Sequence, residues 1–423
     1  MDPYLDATPW DRHAREIHRL GREQRLIRVG IVVSLVALLI VSLALLSYAS
    51  GAQVPSVCGS CGPSPSPPSN ATPATSNLVA SIYVGGAVSH LALDPSNGLV
   101  YGSVSDLFNV TLISGLKTVG SVTAGWEPDG VTYDSSNGDI YVTNDASDNV
   151  TIIHGTASAG TTGIGDGCSS ISYDSVSQSL FAPCTWGNNI TILGGTTNHV
   201  GSLAVPGAVP WGSCAAKGDV FVLGDDTSVV YVINGTTRSF VTNISLPAGS
   251  NPQDCAYDPS NGYLYTADMN SDAVSVIDVA TNSIVTSIGV GSEPWGIAYA
   301  PTYGEITVSN SRSDSVSIIN ATTNVVKSTV TVGTGLAFPQ GEVFDPMNGY
   351  LYVALSGNGT VAVLGHPPLT PVVIPQQTSN AQAKPSVVPY LIIGAVAGPA
   401  AGLSGVVLWK RGHRLPPPQP PLA

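Results

Sequence analysis

The chain repeats itself about every forty residues, and a period of that length leaves few folds open. NGDIYVTNDASDNVTII (137–153) reads as a strand, a polar turn and a second strand. Six other stretches copy it: LVYGSVSDLFNVTLI (99–113), LFAPCTWGNNITIL (180–193), VFVLGDDTSVVYVI (220–233), LYTADMNSDAVSVI (264–277), ITVSNSRSDSVSII (306–319) and LYVALSGNGTVAVL (351–364). One position recurs through all seven copies, held by Tyr101, Tyr141, Phe181, Phe221, Tyr265, Thr307 and Tyr352 at intervals of 40, 40, 40, 44, 42 and 45. Repeats of this size that alternate like strands stack as the blades of a propeller. Charged residues make up only 10% of the chain, against 46 Gly and 32 Pro, which suits a turn-rich β fold rather than a helical bundle.

Each repeat holds four strands, a to d. Strand a is a short apolar run such as GVTYD (130–134), strand b carries the aromatic, strand c is the VTII-like run, and strand d is a β-branched segment such as SIVTSIGVG (283–291). Between a and b lies DPSNG (94–98), DSSNG (134–138), DPSNG (258–262) or DPMNG (345–349). The Asp caps its own turn and Asn-Gly tolerates positive φ, so the hairpin is encoded locally. The seventh repeat stops after strand c, while a spare d-type strand, NLVASIYVGG (77–86), precedes the first. The N-terminal strand is therefore expected to complete the last blade and remove the open edge. The expected fold is an all-β, seven-bladed propeller over residues 77–365.

YVTN at 141–144, with VGSEPWGIAYA (290–300) and PAGSNPQDCAYD (247–258), resembles the YVTN β-propeller repeat of YncE-like proteins and archaeal surface-layer proteins. The resemblance implies a cell-surface or envelope protein and names no particular reaction. The fourth repeat departs from it. CAAKGDVFV (214–222) lacks the Asp turn, so its a–b hairpin is expected to be shorter.

Outside the repeats lie two uncharged runs of about twenty residues, 29–50 and 387–409, each long enough to cross a membrane. Arg19, Arg22, Arg25 and Arg28 precede the first, and Lys410, Arg411 and Arg414 follow the second. By the positive-inside rule both termini are cytoplasmic and the propeller is extracellular, flanked by two transmembrane helices. The first run also reads as a cleavable signal peptide, with SGA (50–52) as a peptidase site. The expected order is a cytoplasmic N-tail (1–28), a signal anchor (29–50), a Pro/Ser-rich linker (51–76), the propeller (77–365), a Pro-rich linker (366–386), a second helix (387–409) and a Pro-rich cytoplasmic tail (410–423). Gly394, Gly398 and Gly402 give the second run a small-residue face suited to helix–helix association.

Residues 51–386 hold 6 basic against 23 acidic residues, a balance of −17, which argues against nucleic acid as a partner. All six cysteines fall there, as expected of an exported, disulfide-bonded domain. Cys58 and Cys61 form a lone CxxC in a linker, open to a local disulfide, redox chemistry or half a zinc site. Cys168 and Cys184 fall opposite each other across one hairpin, and Cys214 and Cys255 start strand a in neighbouring blades. N-x-S/T glycosylation sequons occur at Asn70, Asn109, Asn149, Asn189, Asn234, Asn243, Asn320 and Asn358.

In a propeller the d–a and b–c loops share a face, where ligands enter the channel. The d–a loops carry Trp126, Glu127, Asp129, Asp166, Trp211, Asp254, Glu293 and Trp295, with Glu342 at the start of the last strand a. Aromatics and carboxylates together suit sugar stacking, or Ca2+ bound by carboxylate oxygens. The opposing reading packs the Trp rings between blades and leaves the acids solvated. His90, His154, His199 and His366 show no metal-ligand spacing, and no nucleophile, phosphate-loop or dinucleotide motif appears. The chain therefore reads as a binding, adhesion or envelope-scaffold module for a surface glycan or protein ligand, with no identified cofactor. The alternative is a propeller enzyme of lactonase-like or quinoprotein-dehydrogenase-like type, for which Glu127, Glu293 and Glu342 are the first acids to change.

Overall fold

The computed structural model describes residues 78–194, 199–205, 209–225 and 227–365, all within one compact unit. They form seven four-stranded antiparallel sheets. In chain order, strand a of blades 1 to 7 is Val88–Asp94, Pro128–Asp134, Ser172–Asp174, Pro210–Ala216, Pro252–Asp258, Pro294–Ala300 and Pro339–Asp345. Strands b, c and d follow outward by hairpins in blades 1 to 6. In blade 7 the outer strand is the first strand of the domain, Leu78–Tyr83, paired antiparallel with Thr360–Gly365. The ring thus closes as the strand count requires.

The core is divided into seven apolar clusters, one at each seam between neighbouring sheets. The seam between blades 7 and 1 includes Ile82 of the closing strand, packed with Val88, Ile113 and Tyr352. Neither face of a blade can bury itself alone, so the repeats are stable only as a closed ring.

The recurring aromatic joins each blade to the next. Tyr101 Oη donates to Gly155 O at 2.7 Å, and Tyr352 Oη donates to Gly115 O at 3.0 Å. Tyr265 Oη lies 3.2 Å from Ala321 O and 2.9 Å from Asn324 Oδ1. Each of these partners belongs to the c–d turn of the following blade.

The a–b turn supplies the matching donor. Asn97, Asn137, Asn261 and Asn348 donate Nδ2 to the Tyr hydroxyl of their own blade at 2.9–3.0 Å. The Asp that opens each turn accepts from the backbone two residues on, at 2.8 Å in all four. Turn and aromatic therefore go together. Blades 1, 2, 5 and 7 have both the Asn-Gly turn and Tyr, whereas blades 3, 4 and 6 carry Phe181, Phe221 and Thr307 and have neither. Without a hydroxyl to hold, the turn Asn has no work. In blade 4 the hairpin tightens to Lys217-Gly218, both at positive φ, as its sequence predicts.

The Asn that ends YVTN is also structural. Asn144 Oδ1 accepts from the d–a loop amide of Gly125 at 3.0 Å, while Nδ2 donates to Thr151 Oγ1 at 3.0 Å. Asn310 repeats this with Gly291 N and Ser317 Oγ. It fixes the loop that leads into the next strand a.

One expectation is corrected. The fold class does not include flanking transmembrane helices: among the described residues no helix is long and apolar enough to cross a membrane, and the helical elements are two three-residue 3-10 turns, Ser105–Leu107 and Met269–Ser271. Runs 29–50 and 387–409 lie outside the described residues. So do the linkers 51–76 and 366–386, both tails, Cys58, Cys61, Asn70, His366, Gly394, Gly398 and Gly402.

Candidate functional site

Strand a of every blade lines the central channel, and one ring of equivalent positions decides its width. That ring is Gly in four blades: Gly130, Gly212, Gly296 and Gly341. A Cβ on Gly296 would lie 2.2 Å from Gln340 O, and on Gly212 2.5 Å from Gln253 O. On Gly130 and Gly341 it would meet Ser170 Cα and Ser89 O at 2.7 Å. The neighbouring backbones approach too closely for a side chain. The remaining blades place His90, Ser170 and Asp254 at this level, and His90 and Asp254 are the ionisable ones.

A cavity of about 250 Å3 occupies the channel, lined from all seven blades. His90, Asp254 and Glu342 bring ionisable groups to its wall, Ser172 and Ser213 bring hydroxyls, and Cys214 and Cys255 bring a disulfide. His90 Nδ1 and Asp129 Oδ1 are 2.9 Å apart. Burial alone lowers the His90 pKa, but the charge and hydrogen bond of Asp129, with Asp254 beyond, raise it above the ordinary histidine value overall. The Asp129 carboxylate thus favours the protonated imidazole. Asp254 accepts from the amides of Cys255 at 2.8 Å and Ile297 at 3.3 Å. Burial raises its pKa, and His90 and those two amides partly offset the rise.

Glu342 sits deepest, 7% exposed. Its Oε2 accepts from Ser309 Oγ at 3.2 Å, and its buried Oε1 has no hydrogen-bond partner. Burial pushes its pKa up to about 8; Thr307, Ser309 and the Ala298 amide lower it, and Asp254 raises it. At neutral pH Glu342 is mostly a neutral acid.

Above the wall, Trp211 of blade 4 and Trp295 of blade 6 meet edge to face, centroids 6.4 Å apart and planes at 81°. Both rings are half-buried, and the blade between them carries Asp254. Trp126 is 67% exposed on the outer loop. The reading that packs every Trp between blades thus fails for Trp126, and Trp211 and Trp295 pair with each other.

Of the loop-face candidates, Asp254 and Glu342 line the cavity, Asp129 joins it through His90, and Trp211 and Trp295 stand on the channel-lining strands one residue before Gly212 and Gly296. The fold leaves the others on the surrounding loops. Glu293 forms an ion pair with Arg312 at 2.9 Å. Glu127 and Glu293 occupy positive-φ turn positions, and the Asp166 carbonyl accepts from Gly187 N at 2.9 Å. Among the described residues no group of three or more His, Cys, Asp or Glu is arranged to hold a metal ion.

His90 is the residue that sequence reasoning passed over, as one of several scattered histidines. Its signal was present: it stands in the strand-a register where four other blades have Gly.

Both inter-strand cysteine pairs expected from the sequence are disulfides. Cys168–Cys184 closes the entry of blade 3, and Cys214–Cys255 joins blades 4 and 5 along the channel wall. Among the sequons, Asn243 and Asn358 are exposed. Asn109, Asn149, Asn189, Asn234 and Asn320 are half-buried, and all but Asn109 make side-chain hydrogen bonds within turns.

A family model described as a repeat of unknown function (DUF6923) matches residues 170–335. No curated protein matches the chain. Similar solved structures include hydrazine synthase of Kuenenia stuttgartiensis, 16% identical with a TM-score of 0.60, covering 66% of this chain and 96% of that one. The WD40 β-propeller domain of Doa1 is 14% identical at 0.59, covering 70% and 98%. A streptogramin B lyase is 14% identical at 0.59, covering 66% and 93%. At these identities the likeness is one of fold, and it is shared by enzymes and a WD40 module alike.

Proposed function

We propose that the protein is an exported binding propeller that takes a small ligand at the mouth of its channel. One observation carries this reading. Ionisable side chains from blades 1, 5 and 7 line one cavity, with Asp129 of blade 2 holding His90, four blades reduced to glycine at that level, and two paired half-buried Trp rings on the same channel-lining strands. A cavity with an aromatic rim and a few convergent polar groups is the usual form of a small-molecule site. Two disulfides support a working place outside the reducing cytosol. The YVTN-like repeat is in keeping with the cell surface, as is an envelope or adhesion role served by such binding.

The test is a screen of neutral saccharides, amines and acids by saturation-transfer NMR and Trp fluorescence, against wild type and the Trp211→Ala/Trp295→Ala double variant. Ligands that bind the first and not the second support the channel mouth. Ligands whose binding survives the double change place the site elsewhere.

A second reading has its own observation. His90 held by Asp129, with a protonated Glu342 in the same cavity, has the parts of an acid–base pair. Turnover of a captured ligand, abolished by Glu342→Gln with affinity retained, would move the protein to the enzymes.

A further inference from the structure

The cavity is lopsided, and its lopsidedness selects a ligand charge. On the side of blades 1 and 2, His90 and Asp129 satisfy each other. On the side of blades 4 to 7, Trp211 and Trp295 come from the blades flanking the one that carries Asp254, and Glu342 lies in the wall with one oxygen unpaired. The basic side chain nearest that half is His90, which also interacts with Asp254 but is already paired with Asp129. The protein as a whole carries a formal charge of −13. Tryptophan faces attract cations, and buried carboxylates hold them with charge-assisted hydrogen bonds. Resting on the channel-binding reading above, we infer that the ligand is an organic cation, an apolar or aromatic body with an ammonium or guanidinium head, and that Glu342 releases its proton as the head enters.

The body stacks at the Trp211–Trp295 rim. The head points past the rings, down the channel towards Asp254 and Glu342. In the empty cavity Glu342 is kept neutral by burial and by the charge of Asp254. An arriving cation reverses that balance. The Glu342 carboxyl loses its proton to solvent, and the resulting carboxylate accepts an N–H from the head. One proton leaves for each cation bound.

Other groups around Glu342 do not take over this role. Strand Val88–Asp94 presents His90, already paired with Asp129. Strand Pro252–Asp258 presents Asp254. On strand Pro294–Ala300 the ionisable Tyr299 interacts with Asp258 and Ser260. On strand Glu305–Asn310 Glu305 pairs with Lys327 at 2.7 Å. On strand Tyr350–Leu355 the hydroxyl of Tyr352 is bound to Gly115 O.

The experiment is calorimetric titration with two probes of one shape, benzylguanidinium (charged across the range used) and neutral benzylurea. Each is run near pH 7 in two buffers of different ionisation enthalpy, so that protons released are counted. Benzylguanidinium should bind at least about tenfold more tightly than benzylurea, with close to one proton released. Repeating the wild-type count between about pH 6 and pH 10 should show the release fading as the free carboxyl ionises, a result that needs no variant. Glu342→Gln should bind about tenfold more weakly and release none, while Glu293→Gln, on the outer loop and paired with Arg312, keeps the release. Melting curves establish that each variant is folded.

Equal affinity for both probes, or proton release that persists in Glu342→Gln, overturns the inference. If benzylurea binds as well as benzylguanidinium and both need the Trp pair, the cation inference falls and the channel-binding reading stands. If neither probe binds and nothing in the wider screen depends on the Trp pair, both fall.

Discussion

Asp268 offers a measurement of how this fold treats a buried charge, with an internal control. It ends strand b of blade 5, where blades 2 and 6 have Asn144 and Asn310. It is fully buried, accepting from Thr266 Oγ1 at 2.8 Å and Ser275 Oγ at 2.5 Å. Burial raises its pKa from 3.8 to about 6, with the hydroxyls of Ser275, Thr266 and Ser250 pulling the other way. An acid whose pKa is higher in the fold than in the unfolded chain costs stability once it ionises. The cost is nil below about pH 4, grows to about pH 6, and is constant above. Raising a carboxyl from 3.8 to about 6 corresponds to about 3 kcal/mol at pH 7, at about 1.4 kcal/mol per pH unit.

Asp268→Asn removes that cost without changing shape. Its Nδ2 would donate to Ser275 Oγ, as Asn310 Nδ2 donates to Ser317 Oγ at 3.0 Å, and its Oδ1 would accept from Thr266. The variant should therefore match wild type near pH 4 and exceed it by up to about 3 kcal/mol at pH 7 and above, a rise of roughly 6 °C in midpoint for a domain of this size. Urea and thermal unfolding of both proteins at matched pH values measure the difference, in which groups common to both cancel. A gap that does not change with pH, or a variant less stable at pH 7, refutes the reasoning.

Three further outcomes follow from the same physics. Gly296→Ala, whose Cβ would strike Gln340 O at 2.2 Å, should cost about 1–3 kcal/mol or more in chemical denaturation, whereas Gly289→Ala, with open space around it, should stay within about 0.5 kcal/mol; equal effects would mean the ring of glycines is not a steric requirement. Tyr265→Phe removes the staple to the next blade and should cost about 1 kcal/mol, with no change expected for Phe181→Leu beyond its packing loss; a neutral Tyr265→Phe would show that the hydroxyl is not needed at the seam. Cys214→Ser/Cys255→Ser opens a link spanning 41 residues and should cost about 3–4 kcal/mol by loop entropy, read as a lowered melting midpoint; a drop corresponding to less than about 1 kcal/mol would show that ring closure by Leu78–Tyr83 already supplies the constraint.

Local chemistry made the architecture legible. A strand of alternating residues, a tight turn (Asp-x-x-Asn-Gly in four of the repeats) and a second strand specify one another over some twenty residues, and seven such hairpins leave little choice of fold. Even the closing strand follows from counting. The two disulfides were also within reach, because register in a hairpin and equivalence between blades place Cys168 opposite Cys184 and Cys214 beside Cys255.

The site was legible only in part, for a geometric reason. Asp129, Asp254, Glu342, Trp211 and Trp295 could be named from their places in the repeats, but so could Trp126, Glu127, Asp166 and Glu293, which the fold leaves outside. A loop residue and a channel residue can be neighbours in sequence, and the backbone turn at positive φ separates them. His90 gained a meaning only when the ring brought it to Asp129, 39 residues away. Its neighbours' glycines show their purpose only against the next blade. The repeat determines by itself that strand a will line a channel. Which side chains meet there, which proton is held and which charge is unpaired depend on seven strands converging from the length of the domain, and distances across that axis exist only in the folded ring.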